Sequence, residues 1–547
     1  MRGLMMDYPL LLSSVLRHAA NYHGDVEIVS RTPEGGIHRC TYANLYRRSQ
    51  KLANALANLG LRRGDRVGTL AWNDFRHMEL YYGISGSGFV CHTINPRLFI
   101  RQIEYIVDHG DDRVIFADPA FLPILEQLAH KLKKMVAVVI MTDEKHMPKS
   151  SVLPAMVCYE TLLAGEADAF DWPVFDENTA SGLCYTSGTT GDPKGVLYSH
   201  RSSVLHAMAI CVPDVLGFSA SDVVAPVVPM FHVNAWGFPY AAPMVGAKLV
   251  LPGPRLDPAS LYSLFEAEGV TFAAGVPTIW LNLLDWTDTQ SQSFAALERV
   301  AIGGSAVPPV MVARWQDKGI RVQHAWGMTE TSPVGLSATL KGKHGDLSDA
   351  DKRNLQIKQG RPVFGMEFRI EGSDGSEIIK DGKEIGSMKV RGPWVAKSYF
   401  NAPESVGHVA DGWFDTGDVV TMDTDGFVQI VDRTKDLVKS GGEWISSIEL
   451  ENIAQGHPAI KEAAVVARPD KVWGERPVLV AVLTPGSEFT QDDLARLYDG
   501  KVPKWTIPDD VYIVSELPHT ATGKVAKVVI RQTVIDSGVT SIPENAA

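Results

Sequence analysis

One pattern recurs through the first 140 residues: a segment with helical periodicity, then a short and almost continuous apolar run. Thr41 is placed to cap a helix running to about Leu59. Leu45, Leu52, Leu56 and Leu59 recur on one face, and Gly60 can stop it. Residues 66–71 then read as a strand. Ile100, Ile103, Ile106 and Val107 mark a second amphipathic helix that stops near Gly110, and residues 114–117 and 136–140 are further strands. Strands that are apolar on both faces have to be covered on both faces. Helices alternating with such runs therefore predict buried sheets covered by helices, an α/β fold. No catalytic signal precedes residue 180, and this stretch reads as scaffold.

The first chemistry lies in Tyr185-Thr186-Ser187-Gly188-Thr189-Thr190-Gly191-Asp192-Pro193-Lys194-Gly195-Val196. Glycines let backbone N–H groups turn inward and approach an anion closely. The hydroxyls add donors and Lys194 adds positive charge, so the loop can cradle phosphate. The spacing is not that of the P-loop, because no Gly-Lys is followed by Ser or Thr. A Gly/Ser/Thr run alone is commonly a surface loop. Here the apolar segments 183–185 and 196–198 pin it between strand-like pieces.

A chain of 547 residues exceeds one ordinary domain, so a large body plus a smaller piece is expected. The formal net charge of −12 argues against a nucleic-acid surface. Any anionic substrate then needs local Lys and Arg. The cysteines (Cys40, Cys91, Cys158, Cys184, Cys211) are scattered and lack CxxC spacing. That argues against a disulfide framework or a structural zinc site, and Cys184 reads as strand packing. No apolar run reaches the ~18 residues of a membrane helix, and no targeting segment stands out. A soluble cytoplasmic protein without integral membrane contact is expected.

Six later stretches are candidates for chemistry. Residues 229–236 place His232 beside Phe231 and end on Trp236. Residues 300–306 run as a strand into a Gly303-Gly304 turn followed by Ser305, where a flat ring can lie against backbone. Residues 321–331 form a strand that delivers His324, Ala325, Trp326 and Gly327, then the Thr329 hydroxyl and the Glu330 carboxylate. An aromatic ring can stack on a base, and a hard oxygen ligand such as Glu330 suits Mg²⁺. Asp418 lies on a Thr-Gly-Asp turn. Residues 432–445 combine a charged run with Gly441-Gly442 and read as a hinge between domains. After it, residues 448–453 read as a helix and 463–467 and 478–483 as strands of a small α+β domain. That domain carries Lys524 after a Pro-His-Thr-Ala-Thr-Gly sequence.

These motifs, in this order and across nearly the whole chain, resemble the adenylate-forming superfamily of acyl-CoA synthetases, luciferases and peptide-synthetase adenylation domains. The resemblance implies a large N-terminal domain of residues 1–434 and a mobile C-terminal domain of residues 435–547 hinged at Lys435. It implies that Thr186, Ser187, Gly188, Thr189, Thr190, Gly191 and Lys194 hold phosphates, and that Thr186 and Glu330 hold Mg²⁺. Gly303, Gly304, Ser305, His324, Ala325, Trp326, Gly327 and Thr329 would border the nucleotide, and Asp418 and Arg433 its ribose. His232, Val233, Trp236 and Gly303 would line the acid pocket. Lys524 would serve adenylation and Lys439 the second half-reaction, with Trp444 closing over the adenylate. Members of the family usually carry Tyr at the position of Trp326. Stacking survives that change, whereas a phenol hydrogen bond is lost.

The expected enzyme is an AMP-forming acid–thiol ligase. It would activate a carboxylic acid with ATP and Mg²⁺, expel pyrophosphate and pass the acyl group to coenzyme A. Residues 230–236 and 440–444 look like bacterial fatty acyl-CoA synthetases. Residues 84–89 and 93–99 look like the relatives that activate 3-methylmercaptopropionate. The expected acid is therefore 3-methylmercaptopropionate or a short- to medium-chain fatty acid, with a long-chain acid as the alternative. A stand-alone adenylation protein that loads a separate carrier protein is the rival from another class. A homodimer is a further expectation from the fatty acyl synthetases.

Overall fold

In this computed structural model the described residues are 1–547 except 2, 154, 187–191, 373–374, 403–410, 442, 520–524 and 538–547. The predicted α/β alternation is present. Helix Tyr42–Asn58 starts at a reciprocal cap: the Thr41 hydroxyl accepts the Asn44 N–H, and the Asn44 side chain accepts the Thr41 N–H at 3.0 Å. Helix Ile100–Gly110 buries Ile103, Ile106 and Val107, as its periodicity requires.

Two large sheets carry the N-terminal body. One has seven strands in the order Val157–Cys158, Ala137–Ile140, Asp112–Ala117, Arg66–Leu70, Val90–Thr93, Ala180–Tyr185 and Gly195–Ser199. All its pairs are parallel except the last, where Tyr185 faces Gly195 and closes a hairpin around residues 186–194. The second has nine strands. Its parallel core runs Arg321–Gly327, Arg299–Ile302, Phe272–Gly275, Val223–Pro226, Lys248–Leu251 and Glu27–Arg31, with antiparallel strands at both edges. A four-stranded antiparallel sheet, Glu367–Glu371 to Val428–Arg433, follows.

Residues beyond Val438 build their own sheet, in which long strands Ile460–Asp470 and Gly474–Leu483 pair along their length. Helix Ser447–Gln455 covers it on one side and helix Lys527–Ser537 on the other. Their apolar clusters draw only on residues from Val438 onward, whereas the buried residues of the other clusters end at Val428. Among the described residues no helix is long and apolar enough to cross a membrane.

In open parallel sheets ligands sit beyond the carboxyl ends of the strands. Here Thr186 follows strand Ala180–Tyr185, Gly303 follows Arg299–Ile302 and Met328 follows Arg321–Gly327. The segment 227–236 follows Val223–Pro226. Motifs far apart in sequence thus emerge at matching strand ends.

Candidate active site

Lys194 and Thr186 hold each other across the base of the candidate phosphate loop. The Thr186 N–H donates to the Lys194 carbonyl at 2.9 Å, and the Lys194 N–H to the Thr186 hydroxyl at 3.2 Å. The calls on Ser187, Gly188, Thr189, Thr190 and Gly191 lie outside the described residues, as does Lys524. The Lys194 ammonium sits 5.0 Å from the centre of the Tyr399 ring. The hydroxyl of that same ring donates to Glu330 Oε1 at 2.6 Å. Tyr399 thus joins the loop cation to the candidate metal carboxylate.

Glu330 is buried and its backbone carbonyl takes the Ala396 N–H at 2.8 Å, so its direction is fixed from both ends. Burial raises its pKa, while the Tyr399 hydroxyl and the Arg433 and Lys194 charges oppose that rise. Among the described residues no cluster of three His, Cys, Asp or Glu could hold a metal. A single carboxylate such as Glu330 is a suitable ligand for Mg²⁺, which commonly takes one or two carboxylates and completes its shell with water and phosphate. Oε1 is engaged by Tyr399, and Oε2 lies outside that bond.

A second constellation surrounds Asp418. Its Oδ1 pairs with Arg433 Nε at 2.7 Å, and its Oδ2 accepts the Trp326 indole N–H at 2.9 Å. The indole therefore supplies a hydrogen bond to the candidate ribose carboxylate, beyond the stacking face expected of it. The Asp418 charge, helped by Glu330 and Asp436, raises the Arg433 pKa. Thr329 is buried, and its carbonyl takes the Tyr198 hydroxyl at 2.8 Å, tying the two sheets together beneath the site. Gly327 and Gly303 are required by close backbone. A Cβ at Gly327 would lie 2.0 Å from the Pro333 carbonyl oxygen, and one at Gly303 would lie 2.7 Å from that of Ala325. Gly304, with φ of 90°, and Ser305 are exposed beside it. His324 is placed differently from its neighbours. Its Nδ1 bonds the Ile357 carbonyl at 2.9 Å and burial depresses its pKa to about 4, so the imidazole serves the scaffold.

In the segment after strand Val223–Pro226, Val233, Asn234, Ala235, Trp236 and Gly237 all have positive φ, a full left-handed turn. Residues that carry a Cβ pay about 1–2 kcal/mol each for this conformation. Such strain persists only where surroundings enforce it. Asn73 supplies part of that. Its amide donates to the Pro226 and Val228 carbonyls and its oxygen accepts the Met230 N–H at 2.7 Å. The turn presses the Trp236 ring toward Gly303, where a Cβ would come within 3.1 Å of it. His232 is half-buried at the turn's start.

In the C-terminal piece, Lys439 and Trp444 face each other across the hairpin of Val438–Ser440 and Glu443–Ile445. The ammonium lies 5.3 Å from the indole centre and Trp444 is 46% exposed. Lys435 is exposed between the two bodies. Around it, the Asp432 carboxylate accepts the Ser447 N–H, and Asp436 pairs with Arg531 at 3.2 Å. Tyr399 and Asn73 were not among the sequence-predicted site residues. Their roles depend on partners distant in sequence, and no local pattern marks them.

Comparison with known proteins defines the class. Residues 16–400 match the model of the AMP-binding enzyme family, and residues 449–524 match that of the AMP-binding enzyme C-terminal domain. The chain belongs to this family. It is 50% identical over 96% of its length, and 98% of the relative's, to a 3-methylmercaptopropionyl-CoA ligase of Ruegeria lacuscaerulensis. It is 49% identical over 97% of both chains to a medium-chain-fatty-acid–CoA ligase of Ectopseudomonas oleovorans. It is 46% identical, over 96% of both, to a long-chain-fatty-acid–CoA ligase of Thermus thermophilus. Among solved structures, an anthranilate CoA ligase in complex with anthranoyl-AMP is similar with a TM-score of 0.85 and 25% identity. That match covers 96% of this chain and 98% of the other. More particularly, then, the protein is an AMP-forming acyl-CoA ligase, of the class that uses ATP, Mg²⁺ and coenzyme A.

Proposed function

We propose that this ligase activates 3-methylmercaptopropionate or a short- to medium-chain fatty acid. The observation that supports this reading is the pair of relatives at 49% and 50% identity that carry those two activities. The 46% likeness to a long-chain ligase keeps the longer acids as the second reading.

A carboxylate is a poor acyl donor because its leaving group is oxide. Attack of the acid on the α-phosphate of ATP gives an acyl-adenylate and pyrophosphate, and the thiol of coenzyme A then displaces AMP. The first step joins two anions, so fixed positive charge and donors must stabilise the charge that develops. Thr186, Lys194 and the loop between them hold the departing pyrophosphate. Glu330, directed by Tyr399, and Thr186 would hold Mg²⁺, which when bound would neutralise phosphate charge. Trp326 covers the base while its N–H and Arg433 fix Asp418 for the ribose hydroxyls. Gly304, Ser305 and the Ala325–Gly327 backbone border the base. His232, Val233, Trp236 and Gly303 form the acid pocket. Lys524 bridges the acid and the α-phosphate. The domains divide at Lys435, and rotation there exchanges Lys524 for the face carrying Lys439 and Trp444. A cytoplasmic homodimer is part of this reading.

The test is pyrophosphate release with ATP, Mg²⁺ and coenzyme A over acetate, butyrate, 3-methylmercaptopropionate, octanoate and palmitate. An optimum between butyrate and octanoate supports the proposal. A steady rise to palmitate replaces it with the long-chain reading. Acid-dependent pyrophosphate release without coenzyme A-dependent AMP release points instead to carrier loading. Light scattering of the purified protein tests the dimer.

A further inference from the structure

We propose that the Cys184 thiol and the Tyr81 hydroxyl are positioning residues that clamp the left-handed turn carrying Trp236, and thereby set which acid the pocket accepts. The inference rests on the reading of residues 232–236 as the acid pocket.

The turn has φ values of 39°, 54°, 45°, 56° and 84° from Val233 to Gly237. A β-branched residue at positive φ is an outlier that needs enforcement. The enforcement begins at its first N–H. Val233 N–H donates to Cys184 Sγ at 3.3 Å inside the protein, where Cys184 is 1% exposed. Without that acceptor a buried backbone donor is left unpaired. The same Sγ lies 3.9 Å from the Tyr185 carbonyl oxygen. Tyr81, also fully buried, donates to the Met230 carbonyl just ahead of the turn and lies 3.3 Å from Asn234 Oδ1 within it. At the far end Gly237 abuts His206, where a Cβ would meet the ring at 2.9 Å. Trp236 is caught between these holds and has its ring tip against Gly303.

The consequence is specific. Cys184 stands two residues before Thr186, on the strand that feeds the phosphate loop. Its side chain nevertheless reaches across to the acid side. Loss of the thiol acceptor releases the turn and relocates the indole, while the phosphate contacts keep their strand. A serine retains an acceptor at the same place and an alanine does not.

The experiment compares Cys184→Ala, Cys184→Ser and Tyr81→Phe with wild type, with Trp236→Ala as the control for the pocket itself. KM for acid, KM for ATP and relative kcat/KM from butyrate to palmitate are measured. Cys184→Ala is expected to raise the acid KM about tenfold and to change chain-length preference, with the ATP KM within about twofold, because one buried donor loses its partner. Cys184→Ser recovers most of this, and Tyr81→Phe moves the same parameters in the same direction. Should Cys184→Ala not fold, Tyr81→Phe decides. Wild-type acid KM and preference in folded variants, while Trp236→Ala alters preference, overturns the clamp. A parallel rise of acid and ATP KM also overturns it, since the residues then only support the fold. Unchanged preference in Trp236→Ala removes the pocket reading and the clamp with it.

Discussion

Trp326 shows how a single residue can carry more than its motif states. The sequence called for an aromatic face, and the change from the usual Tyr implied a lost hydrogen bond. In the structure the indole N–H reaches Asp418 Oδ2 at 2.9 Å while Arg433 takes Oδ1. Trp326→Phe keeps the ring and removes the donor from a buried carboxylate. The expected outcome is a rise of about tenfold in the KM for ATP with little change in acid preference. Steady-state kinetics with ATP and acid varied in turn checks it, and an unchanged ATP KM would show that the bond does not orient Asp418 for the nucleotide. Residues of this kind are legible because glycines, hydroxyls and charges mark them locally. Tyr399 is not. Its ring and hydroxyl are useful only because Lys194 and Glu330, from other motifs, converge on it. Cys184 is packed in its strand as its sequence implied, 1% exposed, whereas its contact with the Val233 N–H has no sequence signature, because a thiol acceptor is indistinguishable in sequence from a small apolar side chain.

Among the elements, those with strict periodicity were read almost to the residue. Thr41 caps the helix that ends at Asn58, and Ile100–Gly110 matches its apolar face. The left-handed turn was not legible, because Val, Ala and Trp disfavour positive φ, and Asn234 and Gly237, which tolerate it, do not by themselves mark a run of five such residues. Nor was the buried acidic pair at the start of helix Phe75–Gly86. Asp74 caps that helix through His77 N–H, and Asp118 accepts the Trp72 N–H at 2.7 Å. Both are 0% exposed, and among the described residues Asp74 Oδ2 and Asp118 Oδ1 lack a partner. Burial pushes Asp74 up to about 7 despite Arg76 and the His77 N–H, and it pushes Asp118 up as well, with the Asp74 charge adding to the rise. A carboxyl whose folded pKa is raised is fully stabilising only while protonated. Its contribution therefore falls as pH rises from the unfolded value near 4 to the folded value near 7. The buried histidines His77 and His324, depressed to about 4, act in the opposite sense, so the variant-minus-wild-type difference is the informative quantity. Asp118→Asn keeps the acceptor for Trp72 and removes the charge. The variant should gain stability relative to wild type between pH 5 and pH 8 by more than about 1 kcal/mol. Denaturant unfolding at both pH values measures it, and a pH-independent difference would rule out a titrating pair.

For the molecule as a whole, the question is how one site serves two half-reactions. The division into a large body and a small one was legible because the charged run and paired glycines at 432–442 interrupt the apolar pattern. The buried apolar clusters do not cross that point: those of the large body end at Val428 and those of the small one begin at Val438. What the sequence could not give is how the small body is anchored. Asp432 holds helix Ser447–Gln455 by its first N–H, Lys527 pairs with Glu451 at 2.6 Å, and Arg531 pairs with Asp436. These bonds fix the segments flanking Lys435 to the small domain and leave Lys435 itself exposed. Among the described residues the buried apolar clusters do not span Lys435, so the proposed rotation there would have to release the Asp432–Ser447 bond but no shared apolar cluster. If Lys524 and Lys439 serve opposite orientations, their variants must separate the two half-reactions. Lys524→Ala should lower pyrophosphate release by about 10²–10³, the scale for one lost charge-stabilising group, yet still convert a supplied acyl-adenylate and coenzyme A to thioester near the wild-type rate. Lys439→Ala should do the reverse, because its ammonium stands beside Trp444 on a hairpin of the small domain. Single-turnover assays of each half-reaction measure this directly. Equal losses in both for either variant would mean that one orientation performs all of the chemistry.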